Sequence, residues 1–206
     1  MIDKIYEILS EMEQYAVTHN VPIIQKESTQ LLCEITAANK PVSILEIGTA
    51  IGYSTLLLAA AMPVHGKITT IELDEQRVTM AKRFFSQAGI NNEIEFITGN
   101  AGEVLSGLTG KFDFVFIDAA KGQYLDYLFK IMDKLSPGAI VIADNVLFRG
   151  WVLGSETIPK RFRTIVKRLK AYLDFVSNDV RFDTVIHHIG DGVAVSHYQG
   201  EQKHEK

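Results

Sequence analysis

From Ser43 onward, short apolar runs alternate with amphipathic stretches. Ser43–Ile47 reads as a buried strand, and residues 53–62 follow as a helix. Lys67–Glu72, rich in β-branched residues, predicts a strand. Glu75–Ala88 predicts a helix with Asp74 as its N-cap. Ile94–Thr98 reads as a strand and Ala101–Gly107 as a short helix. Phe112–Ile117 is a continuous apolar run interrupted only by Asp113. Residues 124–135 predict a helix, Pro137-Gly138 a turn, and 139–143 a fully apolar strand. A helix over 160–175 precedes strands at 181–187 and 192–197, which the Gly190-Asp191-Gly192 turn makes antiparallel. Residues 1–38 predict two helices that pack over the domain or over another subunit.

Alternation of apolar strands with helices means a parallel sheet covered on both faces. The expected fold is α/β: a doubly wound, mostly parallel sheet of seven strands with N-terminal helices. In such sheets ligands sit beyond the carboxyl ends of the strands, near the point where strand order reverses. The polar residues that end each strand are therefore the candidate site.

Composition narrows the class. The 206 residues suit a single domain, with 199–206 as a polar tail, and 47% hydrophobic with 22% charged residues excludes disordered and fibrous classes. A net charge of −4 gives no overall attraction to nucleic acid or anionic membrane, although a local basic patch is compatible with it. One cysteine, Cys33, permits neither an intrachain disulfide nor a thiolate zinc cage, and a cytoplasmic location is expected. The first residues lack a signal-peptide pattern, and no apolar stretch is long enough to span a bilayer.

The turn after the first strand reads Leu45-Glu46-Ile47-Gly48-Thr49-Ala50-Ile51-Gly52-Tyr53-Ser54. Its spacing is Gly-x-x-x-Gly, not the Gly-x-Gly-x-x-Gly of dinucleotide sites, and no Lys-Ser/Thr pair makes it a P-loop. Glu46 would repel a pyrophosphate but can accept hydrogen bonds from a ligand ammonium. Alone, the segment could equally be a tight turn with no ligand. Glu72 ends the second strand, where a carboxylate can accept both hydroxyls of a ribose. Asn100 and Ala101 follow the third, where an amide and a backbone N–H can read an adenine edge. In this order the three segments point to a nucleoside cofactor.

The fourth and fifth strands end at Asp118 and at Asp144-Asn145. Neighbouring parallel strands bring these to one edge. Two carboxylates and an amide oxygen make a hard-oxygen set that suits Mg²⁺, or Mn²⁺ or Ca²⁺, better than zinc. Otherwise one Asp caps a helix and the other ends a strand. Lys121, three residues past Asp118, is either a general base or a surface lysine.

These residues resemble a known family, the cation-dependent O-methyltransferases that include the catechol and caffeoyl-coenzyme A enzymes. The resemblance runs from about Val21 to Ser196, through the 45–54 segment, Ile71-Glu72, Phe116-Ile117-Asp118-Ala119-Ala120-Lys121 and Asp144-Asn145. It implies a class I methyltransferase, Rossmann-like fold that binds S-adenosylmethionine. Glu46 would lie near the amino group and Glu72 on the ribose. Gly48, Tyr53 and Ser54 would line the methionine portion, and Asn100 and Ala101 would face the adenine, with Ile23 and Asp118 also touching the cofactor. The metal would sit on Asp118, Asp144 and Asn145, with Lys121 as the catalytic base beside Asp118. Relatives imply a homodimer. A narrower resemblance, through 120–124, 144–150, 190–196 and Val21-Pro22-Ile23-Ile24, is to the bacterial branch that methylates 5-hydroxyuridine in tRNA.

The 5-oxygen and 4-carbonyl oxygen of 5-hydroxyuridine are vicinal, like the two oxygens of a catechol, so one cation site can serve either acceptor. A tRNA substrate needs phosphate contacts. Lys160-Arg161-Phe162-Arg163, Lys167-Arg168 and Lys170 form the candidate patch, which could also be a plain solvated helix face. Arg149 and Trp151 can hold or stack on a target base, or serve as packing residues. Three readings follow: a tRNA hydroxyuridine methyltransferase, an enzyme for small vicinal diols or phenols, and a non-catalytic nucleoside- or RNA-binding module. His187, His188 and His197 read as structural, Cys33 as a buried small apolar residue, and Phe84-Phe85 as core.

Overall fold

The computed structural model describes residues 2–90, 93–154 and 157–200. Helices α1 (Ile2–His19) and α2 (Lys26–Asn39) precede β1 (Ser43–Ile47) and α3 (Tyr53–Ala61). Then come β2 (Lys67–Glu72), α4 (Glu75–Ala88), β3 (Ile94–Thr98), α5 (Ala101–Gly107) and β4 (Phe112–Ile117). A 3₁₀ turn at Lys121–Gln123 leads into α6 (Tyr124–Ile131), and β5 (Leu135–Asp144), α7 (Arg163–Asn178), β6 (Phe182–His187) and β7 (Val193–Tyr198) complete the order.

The seven strands form one sheet in the order β3-β2-β1-β4-β5-β7-β6. All pairings from β3 to β5 are parallel, and β7 runs antiparallel to both β5 and β6. This is the expected doubly wound architecture. Strand alternation splits the core in two. Ile44, Phe114, Phe116, Ile140 and Ile142 face α1 to α4, whereas Leu45, Ile47, Val115, Ile117 and Val141 face α5 to α7. The N-terminal helices therefore pack on the domain itself, burying Ile5, Ile8, Leu9, Met12 and Leu32. Asp74 caps α4 as expected, accepting from the amides of Gln76 and Arg77.

Three boundaries move. Pro137-Gly138 is not a turn before a strand, because β5 runs through it. The register jumps from Phe112 opposite Leu135 to Phe114 opposite Ile140, so the pair sits in a bulge and the chain stays beside β4. The helix expected over 124–135 stops at Ile131 and tightens into a 3₁₀ turn at Met132–Lys134. Lys160–Phe162 is likewise 3₁₀, and α7 begins only at Arg163. Asp113 interrupts its apolar strand to accept from the amides of Val42 and Ser43, at 2.9 and 3.0 Å, fastening the start of β1. Cys33 is half-buried rather than buried, and of the tail only Gln199 and Gly200 lie among the described residues. No helix among those residues is long and apolar enough to cross a membrane.

Strand order reverses between β1 and β4. The amide of Asp118 donates to Ile47 O at 2.9 Å, and that of Gly48 to Ile71 O at 3.0 Å, so the ends of β1, β2 and β4 meet at this switch point.

Candidate active site

A cavity of about 370 Å³ opens at that edge. Ile23, Gly48, Tyr53, Ser54, Glu72, Asn100, Ala101, Asp118, Lys121 and Asn145 all line it, so the structure brings together most of the residues that the strand ends predicted. Leu73, Arg77, Gln123 and Tyr127 also line it. Sequence reasoning passed over these four. Leu73 had a usable signal: an apolar residue directly after a strand-ending carboxylate, left 65% exposed, is a face for a flat ring.

Glu46 does not line the cavity. The pleat turns it to the same side as Ile44, under the first turn of α3, where it is fully buried. Its carboxylate accepts from Ser54 Oγ at 2.6 Å and from Thr55 Oγ1 and Thr70 Oγ1 at 2.5 Å each. Thr49 Oγ1 joins Thr70 Oγ1 at 2.5 Å. Burial raises the Glu46 pKa above the ordinary range, the charge of Asp118 adds to this, and the hydroxyls partly offset it. Glu46 thus braces the Gly48–Ser54 loop from beneath instead of facing a ligand ammonium.

Glu72 holds the same loop from the other side. One oxygen accepts from the Ala50 amide at 2.8 Å, the other from Leu73 and Asp74 amides at 2.8 and 2.9 Å. With three of its roughly four acceptor sites filled, this carboxylate keeps one on Oε2 for a hydroxyl. Tyr53 donates to Glu13 Oε1 of α1 at 2.5 Å, tying the cavity wall to the N-terminal helix. Asn100 caps α5, its side-chain oxygen accepting from Gly102 N at 2.8 Å, so only its amide N–H groups remain for a base edge.

At the other end of the cavity, Lys121 Nζ lies 2.6 Å from Asn145 Oδ1 and 3.7 Å from Asp118 Oδ1. Asp144 lies behind Asn145, 1% exposed. Its Oδ1 accepts from Asn145 N at 2.8 Å and Ser28 Oγ at 3.1 Å, while its buried Oδ2 has no hydrogen-bond partner. Desolvation and the nearby Asp118 charge push the Asp144 pKa up to about 6. Desolvation raises Asp118 as well, against the pull of the Lys121 ammonium. Among the described residues no group of three His, Cys, Asp or Glu side chains is arranged to hold a metal ion. The Asp118, Asp144 and Asn145 set has two carboxylates and an amide.

Asn145 adopts φ +55, a left-handed conformation that Asn tolerates better than most residues, and Phe148 and Arg149 share it at +42 and +61. The β6–β7 turn holds this loop: Arg149 N donates to Asp191 Oδ1, and Val146 N to Gly192 O. Arg149 and Trp151 do not line the cavity. They form a cluster beside it, with the Arg149 guanidinium 5.6 Å from the Trp151 ring and 5.3 Å from that of Phe162, and Arg161 4.5 Å from Phe162. His187 is half-buried, His188 and His197 are exposed, and none of the three lines the cavity.

A doubly wound sheet with a nucleoside-sized cavity at its switch point, and an acid–amide–lysine cluster at one end, defines a group-transfer enzyme of the α/β methyltransferase kind. The O-methyltransferase family model matches residues 4–198, and the chain belongs to that family. It is similar to the caffeoyl-CoA O-methyltransferase of Medicago sativa, 27% identical over 205 residues, covering 92% of this chain and 81% of that one. It is 35% identical over 137 residues to the catechol O-methyltransferase of Niastella koreensis, covering 65% and 61%. Among solved structures, the O-methyltransferase TomG from Streptomyces achromogenes in complex with SAM superposes with a TM-score of 0.82 at 26% identity, covering 94% of this chain and 90% of that one.

Proposed function

We propose that the chain transfers a methyl group from S-adenosylmethionine to the 5-hydroxyl of 5-hydroxyuridine in tRNA, with a divalent cation held by Asp118, Asp144 and Asn145. S-adenosylmethionine supplies an electrophilic sulfonium methyl. For its binding, Glu72 offers an acceptor to a ribose, Leu73 an apolar face and Asn100 amide donors to a base, and the Gly48–Ser54 loop closes over the remainder. The donor set fits a hard cation: all three groups are oxygen ligands, and the buried Asp144 Oδ2 has no partner. Bound there, Mg²⁺ or Mn²⁺ would acidify an acceptor hydroxyl and fix its orientation beside a vicinal oxygen. Lys121 reaches the same point. In its neutral amine form Lys121 would take the hydroxyl proton at Nζ, which lies 2.6 Å from Asn145 Oδ1 at the acceptor end of the cavity.

The observation that favours tRNA is where the basic helix lies. Arg168 Nη1 donates to Gly122 O at 3.3 Å, next to Lys121, so α7 abuts the turn that carries the proposed base. Arg161, Arg163, Lys167 and Arg168 are exposed there, and Arg149, Trp151 and Phe162 add a stacking surface. A small catechol would use the same cation and Lys121 without the basic helix, and the catechol O-methyltransferase relative supports that second reading.

Label transfer from S-adenosylmethionine into tRNA bearing 5-hydroxyuridine, and into catechol, separates the two. The expected result is labelled tRNA that disappears with chelator. Lys160→Glu/Arg161→Glu/Arg163→Glu should reduce tRNA methylation and its salt dependence while sparing catechol. Label in catechol alone would refute the tRNA assignment. Label in tRNA that survives chelator would refute the cation.

A further inference from the structure

Ser28 sits in the first turn of α2, 2% exposed, far from the strand ends in sequence. Its hydroxyl reaches Asp144 Oδ1 at 3.1 Å. Asn145 N donates to the same oxygen, and Tyr124 OH donates to the Asp144 carbonyl at 3.0 Å. All the donors on this carboxylate converge on Oδ1, and Oδ2 is buried with none. A carboxylate oxygen without a donor in a dry site is costly unless a cation or other group completes it. The turn of α2 is wedged firmly: a Cβ on Gly190, in the β6–β7 turn, would overlap Gln25 Oε1 and lie 3.3 Å from Ser28 Oγ. Just before it, Pro22, Ile23 and Ile24 form one wall of the cavity.

We propose that Ser28 is a positioning residue for the cation site. By engaging Oδ1 it fixes the plane of the Asp144 carboxylate and leaves Oδ2 as the ligand oxygen. The N-terminal helical segment is thereby part of the site and not only a cover on the sheet. This rests on the cation reading above. A hydroxyl that merely satisfied itself in the core would give the same hydrogen bond but would not affect cation affinity separately from nucleoside affinity.

The test is Mn²⁺ titration of the full chain, following free Mn²⁺ by electron paramagnetic resonance. Calorimetry with S-adenosylhomocysteine is run on the same samples. Wild type should bind one Mn²⁺, Asp144→Asn should bind none detectably, and Ser28→Ala should bind about tenfold more weakly, the low end for outer partners of metal ligands. Ser28→Gly, which leaves still more room, should match Ser28→Ala. Nucleoside affinity should stay within about twofold in both, against that tenfold loss of Mn²⁺. Mn²⁺ affinity equal to wild type in both Ser28 variants would overturn the proposal. So would a parallel loss of Mn²⁺ and nucleoside binding, the mark of a purely structural role. Failure of the wild type to bind Mn²⁺, or unchanged binding in Asp144→Asn, would instead remove the cation reading and the role of Ser28 with it.

Discussion

Gly48→Ala and Gly89→Ala together separate backbone conformation from contact at the cavity. Both glycines have positive φ, +103 and +76, but their surroundings differ. Nothing lies within 4 Å of a Cβ built on Gly89, the αL residue that ends α4. Alanine there costs conformation alone, about 1 kcal/mol. A Cβ on Gly48 would overlap the carbonyl oxygen of Asp118 and sit 2.8 Å from its carbon, where ordinary contact begins at 3.4 Å. The ends of β1 and β4 would have to part, yet the Asp118 N to Ile47 O bond holds them together. Overpacking of this kind costs about 1–3 kcal/mol beyond the conformational strain. With a total near 4 kcal/mol, Gly48→Ala should lower Tm by about 12 °C and Gly89→Ala by about 3 °C, at roughly 3 °C per kcal/mol for a chain of this size. Gly48 also lines the cavity and Asp118 ends on it, so affinity for S-adenosylhomocysteine should fall at least about tenfold in Gly48→Ala, a matter of 1.4 kcal/mol, and stay unchanged in Gly89→Ala. Thermal unfolding by circular dichroism and calorimetry measure both. Equal drops in Tm, or full nucleoside affinity in Gly48→Ala, would refute the reasoning.

Lys121→Met should lower kcat by about 10²–10⁴ while leaving S-adenosylhomocysteine affinity unchanged, read from single-turnover methyl transfer and calorimetry. Tyr53→Phe loses the bond to Glu13 and should cost about 1 kcal/mol in urea unfolding, with the midpoint displaced and the slope unchanged. Glu46 has a folded pKa raised mainly by burial, so the folded chain holds this proton more tightly than the unfolded chain. Its contribution to stability is full below the unfolded value of about 4.3 and is lost as pH rises through the folded value. Wild type should therefore lose stability relative to Glu46→Gln as pH rises above about 4, and a pH-independent difference in urea midpoints would contradict this.

Most of the architecture is legible because it rests on patterns with one physical outcome. Unbroken apolar strands separated by amphipathic helices must form a parallel sheet covered on both faces, and that topology carries Gly48, Glu72, Asn100, Asp118 and Asn145 to one edge. What escapes are outcomes decided by pairing. Pro137-Gly138 has the composition of a turn, but a bulge lets β5 keep its place beside β4. Whether a strand-end carboxylate meets the ligand or the core depends on the pleat. Glu46 lies in register with Thr70 across β1 and β2, on the side covered by α3, so three hydroxyls reach it first. The sequence carries a trace of this in Thr49, Ser54, Thr55 and Thr70, hydroxyl residues clustered around one in-strand acid. Ser28 leaves no such trace, since it lies 116 residues from Asp144 and only the docking of α2 on the sheet joins them. Arg149, Trp151 and Phe162 likewise meet only because the loop after β5 folds back to the start of α7. The chain thus declares residues placed by strand order and conceals those placed by how helices settle on the sheet.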